Sequence, residues 1–174
     1  MALPPATINK KVSDYAINPD AFELKEHMER LLETVVAVYE SMGVPLPARR
    51  YWMIGDPAED CEQVVVSLLQ IYLGMPGDQA SEIQNCNQPA TAVVNIYVSR
   101  NFPVGNDAKP PTEKSITDAS AWSATDSWVL FKAMKEFDKD EHGFPGPGAI
   151  ATITGRPPRG GIQSTVLNLS TVVY

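Results

Sequence analysis

The sequence predicts an α+β domain in which a mainly antiparallel sheet of four to five strands carries two long helices packed on one face. Two long segments place their apolar residues at helical spacing, which is typical of helices lying on a sheet. Shorter segments are rich in valine, isoleucine and tyrosine, which favour strands. Glycine and proline separate these segments, and a chain of 174 residues suits one domain with one core.

The first predicted element is a helix that follows an irregular arm at residues 1–17 and runs over residues 18–42. Asn18 is a capping residue, Pro19 suits the first turn, and Asp20 complements the positive end of the helix. A short coiled coil would show the same spacing, but the length of the segment favours packing on a sheet. The apolar stripe consists of Leu24, Met28, Leu31, Val35, Val38 and Met42.

Three strands are predicted in the middle of the chain. Residues 49–54 form a short strand that ends at a glycine turn. Residues 61–72 carry apolar side chains on both faces, which indicates a central strand, and three consecutive valines disfavour a helix there. Residues 92–98 alternate apolar and polar side chains and are expected to pair antiparallel with the preceding strand. The polar stretch 73–90 between these two strands is a predicted loop.

The last third of the chain predicts a loop at residues 103–111, a helix over 112–138, and two strands at 149–154 and 162–174. The glycine- and proline-rich link 155–161 is expected to be a flexible hairpin arm. The helix is expected to lay a broad apolar face across the sheet. That face comprises Ala121, Ala124, Trp128 and Phe131, widened by Trp122 and Val129.

Composition and charge limit the classes of function. No shift in composition divides residues 18–174, so they are expected to form one domain. The formal net charge of −7 disfavours wrapping DNA or lying on an anionic membrane, although DNA can slide past an acidic wall. The sequence has no long apolar run and no signal-peptide pattern, so we expect a soluble protein made in a reducing cytoplasm. Cys61 and Cys86 are either two thiols or one disulfide.

The search for site chemistry predicts no catalytic residue, no metal site and no cofactor. A calcium-like start at Asp138 and Asp140 lacks the required glutamate, because Ala149 holds its place. The two cysteines lack the close spacing of zinc ligands. His27 and His142, the two histidines of the chain, accompany no nucleophile motif.

Two groups of residues keep both a functional and an ordinary interpretation. Glu59, Asp60 and Glu62 cluster before a strand, where carboxylates either perform acid–base chemistry or are simply solvated. Arg156 and Arg159 lie on the arm, where they either dock on an acidic patch of a neighbouring molecule or form a solvated hairpin tip. Two loop-edge residues, Met75 and Phe102, are contact candidates or ordinary surface residues.

A fixed order of short segments runs along residues 20–174. In chain order, these segments are Arg49-Arg50-Tyr51, Cys61-Glu62-Gln63, Met75-Pro76-Gly77, Cys86-Asn87-Gln88-Pro89-Ala90-Thr91-Ala92 and Arg100-Asn101-Phe102-Pro103. A helix precedes them, and a tryptophan-bearing helix and a C-terminal strand pair follow. This order resembles the tail terminator proteins of long-tailed, non-contractile bacteriophages, which act in the head-to-tail connector region.

The resemblance implies a virion structural protein of the neck, assembled in the host cytoplasm. Such proteins form a ring, typically a hexamer, that caps the tail tube, stops its polymerisation and joins the head-side connector. The resemblance implies DNA passing through the lumen without specific binding, no membrane, no cofactor and no catalysis. Its working parts are the loops 73–90 and 103–112 and the arm 155–161. The candidate assembly residues are Tyr72, Met75, Arg100, Phe102, Arg156 and Arg159.

Three alternatives stay open on the sequence. The nearest is another connector component, such as a stopper or head-completion protein. The second is a small acidic cytoplasmic enzyme that uses Glu59, Asp60 or Glu62 in a cleft. The third is a ligand-binding module, which would be a stable monomer with a deep apolar pocket.

Overall fold

The structure is a computed structural model, and it describes residues 19–77, 89–105, 109–137 and 149–173. Within these ranges it is an α+β fold of two helices and one five-stranded sheet, as predicted. The predicted arm at 1–17 lies outside the described residues. The elements are α1 (Pro19–Ser41), β1 (Arg49–Ile54), β2 (Gln63–Leu73), β3 (Ala90–Asn101), α2 (Glu113–Phe137), β4 (Ile150–Gly155) and β5 (Ile162–Val173).

The strand order across the sheet is β1-β2-β3-β5-β4. β2 pairs antiparallel with β3, as predicted, and β5 pairs antiparallel with both β3 and β4. β1 differs from the predominant pattern, because it runs parallel to β2. The sheet is therefore mixed but mainly antiparallel, with β3 at its centre and β1 and β4 at its edges.

The parallel pairing of β1 and β2 requires a return connection, and residues 55–62 provide it without a helix. Arg49 pairs with Gln63 and Ile54 pairs with Leu68, so the chain must travel back along the whole length of β1. Parallel neighbours usually need a crossover of about a dozen residues or more. This connection is shorter and lies against the sheet, where its Asp56 carboxylate accepts a 2.9 Å hydrogen bond from the hydroxyl of Tyr97.

In α1, the residues of the predicted apolar stripe lie on the buried side as far as the last turn of the helix. Four stripe residues are buried, namely Met28, Leu31, Val35 and Val38. Met42 is exposed because it follows the last helical residue, Ser41. Gly43 has a positive φ of 64°, and its amide bonds the carbonyl of Glu40, which ends the helix as glycine commonly does.

The α2 helix is correctly predicted, but the predicted face is wrong. Of the six residues assigned to the sheet-facing side, Val129 is buried as predicted, but four are exposed, namely Ala121, Trp122, Ala124 and Trp128. The buried side consists of Asp126, Val129, Leu130, Ala133 and Phe137. The buried side contains Asp126, which an apolar pattern does not predict. The two exposed tryptophans led instead to the prediction of an apolar face on the wrong side of the helix.

The core forms two clusters. The larger one joins buried residues of α1 and α2 to alternate strand residues such as Val66, Ile96 and Leu167. The smaller one contains Val65, Tyr97 and Val166. Because successive side chains of a strand point to opposite faces, the two clusters lie on opposite faces of the sheet.

Candidate assembly surfaces at the two ends of the sheet

The structure divides the six candidate assembly residues between opposite ends of the sheet. Tyr72 and Met75 lie where β2 ends and β3 begins, since Leu73 pairs with Ala90. The other four lie where β3 ends and β5 begins; they are Arg100, Phe102, Arg156 and Arg159. β3 joins the two ends with 12 residues, which corresponds to about 40 Å at the rise of a strand.

The Met75 end is an exposed apolar surface on a turn that is fixed to the sheet. The carbonyl of Gly74 accepts a 2.6 Å hydrogen bond from Thr91, and the amide of Gly74 donates to the carbonyl of Pro89. The Tyr72 hydroxyl donates to the Met75 carbonyl at 3.3 Å. These contacts fix the backbone of the turn that carries the Met75 side chain, which is 45% exposed.

A second exposed apolar residue lies beside that turn. A Cβ built on Gly77 would lie 3.0 Å from the Cδ1 atom of Ile150, so the turn contacts the first residue of β4. Ile150 is itself 47% exposed. The Met75 end, defined by Tyr72, Met75 and Ile150, therefore presents hydrophobic side chains drawn from two distant parts of the sequence.

The Arg159 end is defined by Phe102, Val104, Arg156 and Arg159, and it is built on a tight hairpin. Arg159 and Ile162 exchange backbone hydrogen bonds of 2.8 and 2.9 Å, which leaves two glycines at the turn. Both glycines have positive φ, which two-residue hairpin turns favour. Residues 155–161, predicted as a flexible arm, thus belong to a hairpin in which the segment after β4 is hydrogen-bonded to the start of β5.

This hairpin is tied to the end of β3. The Phe102 amide donates a 2.7 Å hydrogen bond to the Gly161 carbonyl. A Cβ at Gly161 would lie 2.8 Å from the Cγ2 atom of Val104, so the two segments approach closely. Val104 is nevertheless 73% exposed and forms an apolar projection beside the exposed Arg159.

Arg156 contacts residues of its own chain. Its guanidinium forms an ion pair of 2.5 Å with Glu59 and lies 4.9 Å from the ring centroid of Tyr97. Ser164 donates a hydrogen bond to the same Glu59 carboxylate. Burial raises the pKa of the Tyr97 phenol, and its hydrogen bond to Asp56 acts in the same direction. These contacts attach the 55–62 connection to β3 and to the hairpin.

A cavity of about 160 Å³ adjoins this ion pair and is lined by Glu59, Arg156, Pro157 and Arg159. Pockets for drug-sized ligands are typically about 300–1,000 Å³ and mainly apolar, so this one is small and charged. Of the predicted carboxylate cluster, Glu59 binds Arg156, and Glu62 accepts a 3.1 Å hydrogen bond from the Asn101 amide. The third member, Asp60, is exposed.

Arg100 is an internal link whose partner the sequence analysis missed. Its guanidinium binds the Asp126 carboxylate through two hydrogen bonds of 2.7 and 2.8 Å. The Tyr39 hydroxyl donates to the same carboxylate at 2.7 Å. Burial raises the pKa of Tyr39 well above its usual range, and the negative charge of Asp126 adds to the effect. The available signal was Asp126 itself, the single acidic residue between Ala121 and Lys135 and three residues before Val129.

Arg100 also reaches two further groups. Its Nη2 atom donates to the Pro45 carbonyl at 2.9 Å, and its guanidinium lies 4.7 Å from the ring centroid of Trp122. The Arg100 side chain is 13% exposed and that of Asp126 is 1% exposed. The network therefore joins β3, both helices and the segment after α1, and Arg100 has little surface left for a partner.

Within the part of the chain that the structure describes, residues with metal-ligating side chains do not converge. The described ranges contain no group of three His, Cys, Asp or Glu residues that could hold a metal ion. Cys61 is a free, half-buried thiol that accepts a 3.3 Å hydrogen bond from Arg49. Cys86 and the calcium-like stretch 138–148 lie outside the described residues.

Comparison with known proteins adds no family assignment, because no protein-family model and no curated protein sequence matches the chain. Among the described helices, none is long and apolar enough to cross a membrane.

Proposed function

We propose that this chain is a tail terminator: a virion structural protein that forms a ring, with a hexamer as the expected state, on the head-proximal end of a phage tail tube. The observation that supports this most directly is the presence of two unlike contact surfaces at opposite ends of one sheet. A subunit placed between the tail tube and the head connector needs two such surfaces, one for each neighbour.

The chemistry of the two ends differs in a way that suits two different partners. The Met75 end presents the thioether and aliphatic side chains of Met75 and Ile150. The Arg159 end presents a cation beside the exposed Val104. Rings built from one subunit display all copies of one end on one side, so each side of the ring would meet one partner.

The helices and the charge suit the same proposal. We propose that both helices cover one face of the sheet, since their buried residues share one cluster while a second cluster occupies the other face. Each copy carries a formal charge of −7, so a ring would be strongly acidic, and like charge would let DNA pass through the lumen without binding. The proposed location is the virion neck, with assembly in the host cytoplasm.

A stopper or head-completion protein would also sit between two neighbours, and it remains the nearest alternative. The enzyme and ligand-binding alternatives depend on the region around Glu59. There the cavity is small, and the Glu59 carboxylate is bound to Arg156 and Ser164. These contacts favour a structural role for Glu59 over a free acid–base group.

Electron microscopy of lysates from a phage that lacks this gene tests the proposal. A tail terminator predicts tails longer than those of the wild type, without heads, because nothing stops tube polymerisation. Tails of normal length beside unjoined heads would assign the protein to the head side of the connector. Intact, infectious particles would remove it from the neck.

A further inference from the structure

The two helices carry outer stripes of opposite character. The outer stripe of α1 lies opposite the buried residues of that helix and consists of Glu26, Glu29, Glu33, Ala37 and Glu40. The outer stripe of α2 lies opposite its buried residues and consists of Ala121, Ala124, Trp128, Phe131, Lys132 and Lys135. Every member of both stripes is exposed or half-buried.

The α2 stripe has the features of a contact surface. Trp128 is 52% exposed, and its ring stacks on Phe131 with 5.5 Å between centroids. Lys132 lies over the ring of Trp128 and Lys135 over that of Phe131, at 4.9 and 4.8 Å. Large aromatic residues are enriched in protein interfaces, and cation–π contacts at exposed sites are weak enough that a partner can replace them.

Charge separates the two stripes. Between Ala121 and Lys135 the single acidic residue is Asp126, which is buried against Arg100. The α1 stripe carries four glutamates, of which Glu26 and Glu29 form exposed pairs with Arg30 and Lys25 on the same helix. Among the described residues, no ion pair is found for Glu33 or Glu40.

We propose that the outer stripe of α2 docks on the outer stripe of α1 of a second copy of this chain, and this inference rests on the proposed ring. Both stripes span about 21 Å at the rise of an α-helix, so they match in length. Lysines would meet the free glutamates, and the small residues at positions 37, 121 and 124 would let the helices approach closely.

The charges also determine the geometry of assembly. A contact between two α1 stripes would oppose glutamate to glutamate, and a parallel contact between two α2 stripes would oppose lysine to lysine. The favourable contact therefore joins different patches on the two copies. Made once per pair of copies it is heterologous, which the proposed ring requires, whereas made twice about a two-fold axis it would close a dimer. Heterologous contacts propagate head to tail and close into a ring when the rotation permits.

The test is a charge exchange across this contact, measured by light scattering after size exclusion and by negative-stain microscopy. The double variants Lys132→Glu/Lys135→Glu and Glu33→Lys/Glu40→Lys are each expected to lose the ring and give folded monomers. Combining all four substitutions is expected to restore the ring. Association of the wild-type chain is expected to weaken as salt is raised.

Two further variants control the experiment. Asp118→Lys makes the same change of charge as Glu33→Lys but at an exposed position of α2 outside the stripe, and it is expected to keep the ring. Trp128→Ser keeps every charge and is expected to lose the ring, because it removes the central aromatic contact. Circular dichroism of each variant verifies that the fold is retained.

The outcomes separate this inference from the proposed function. Rings that persist in both charge-reversal variants, or reversals that the combined variant does not rescue, would overturn the helix contact and leave the tail-terminator proposal standing. A wild-type chain that stays monomeric even with purified tail tubes of the same phage would overturn both.

Discussion

Asp126 is the residue on which most of the buried electrostatics depends. Its carboxylate is 1% exposed and receives hydrogen bonds from Tyr39 and twice from Arg100. Removing one partner of a buried pair leaves the other charge without compensation, which costs about 3–5 kcal/mol. The same carboxylate joins both helices to β3, so a loss there should affect the whole domain.

We therefore expect Asp126→Ala to lower the free energy of unfolding by at least about 3 kcal/mol. Urea denaturation followed by circular dichroism measures this value. The matched control is Asp118→Ala, on the exposed part of the same helix, where the expected change is within about 0.5 kcal/mol. Equal midpoints for the two variants would contradict the structural role of the network.

Tyr39 makes stability depend on pH in the alkaline range. Burial and the neighbouring Asp126 raise the pKa of Tyr39 in the folded protein, whereas an unfolded tyrosine ionises near pH 10. The folded state then binds the proton more tightly, so its stabilisation is complete below about pH 10 and decreases as the pH rises further.

Tyr39→Phe is expected to remove the part of the alkaline stability loss that Tyr39 causes. It also removes one hydrogen bond to a carboxylate, worth about 1.5–3 kcal/mol at neutral pH. Unfolding free energies of wild type and variant between neutral and alkaline pH provide the measurement. Tyr51→Phe is the control, because Tyr51 is only half-buried and bonds Gln63 instead of a carboxylate. An unchanged alkaline slope in Tyr39→Phe would exclude this origin.

At the scale of elements, the hairpin between β4 and β5 depends on two glycines that are not equivalent. Gly160 has φ of 56° and a Cβ there would meet no atom within 4 Å. Gly161 has φ of 83° and a Cβ there would meet Val104 at 2.8 Å. Both positions strain an L-residue, but only the second also produces a clash with the end of β3.

Gly161→Ala is consequently expected to destabilise the fold by at least about 2 kcal/mol, and Gly160→Ala by about 1 kcal/mol. Thermal unfolding of the two variants side by side measures the difference. The double variant Gly161→Ala/Val104→Ala should recover part of the loss, because it removes the clash but not the backbone strain. Equal losses at the two glycines would show that Val104 does not restrict this turn.

The sequence predicted correctly those elements in which the spacing of apolar residues matches the side that is buried in the fold. The α1 stripe and the alternation in β3 succeeded, because burial alone determines their spacing. The face of α2 failed, since a buried ion pair with Arg100 places an aspartate where the pattern requires an apolar residue. The sequence of β1 contains no signal for its parallel direction, because that direction depends on how residues 55–62 return along the strand.

The candidate site was predictable only as a set of positions. Met75 and Phe102 could be recognised as loop-edge residues and Arg159 as a residue of the arm 155–161, and the structure places them at the two ends of the sheet. The division into two ends follows from strand order, which inserts β5 between β3 and β4. Arg100 could not be distinguished from a surface cation without knowing that α2 brings Asp126 against it.

At the scale of the whole molecule, the tail-terminator proposal predicts that the two ends of the sheet act on different joints of the virion. Met75 and Arg159 are exposed and lie at opposite ends of β3, so a substitution at one should leave the other end intact. We expect Met75→Asp and Arg159→Glu to produce different defects when each variant complements a phage lacking this gene. One should give over-long tails, because the tube is not capped, and the other tails of normal length without heads.

Microscopy and tail-length measurement distinguish the two defects, and Ile71→Asp, at an exposed position within β2 short of the turn, is the control expected to retain infectivity. A ring has two sides, and contact groups about 40 Å apart at opposite ends of one strand are placed to meet different neighbours. If both variants gave the same defect, the two ends would serve a single joint, and the placement of this subunit between tube and connector would fail.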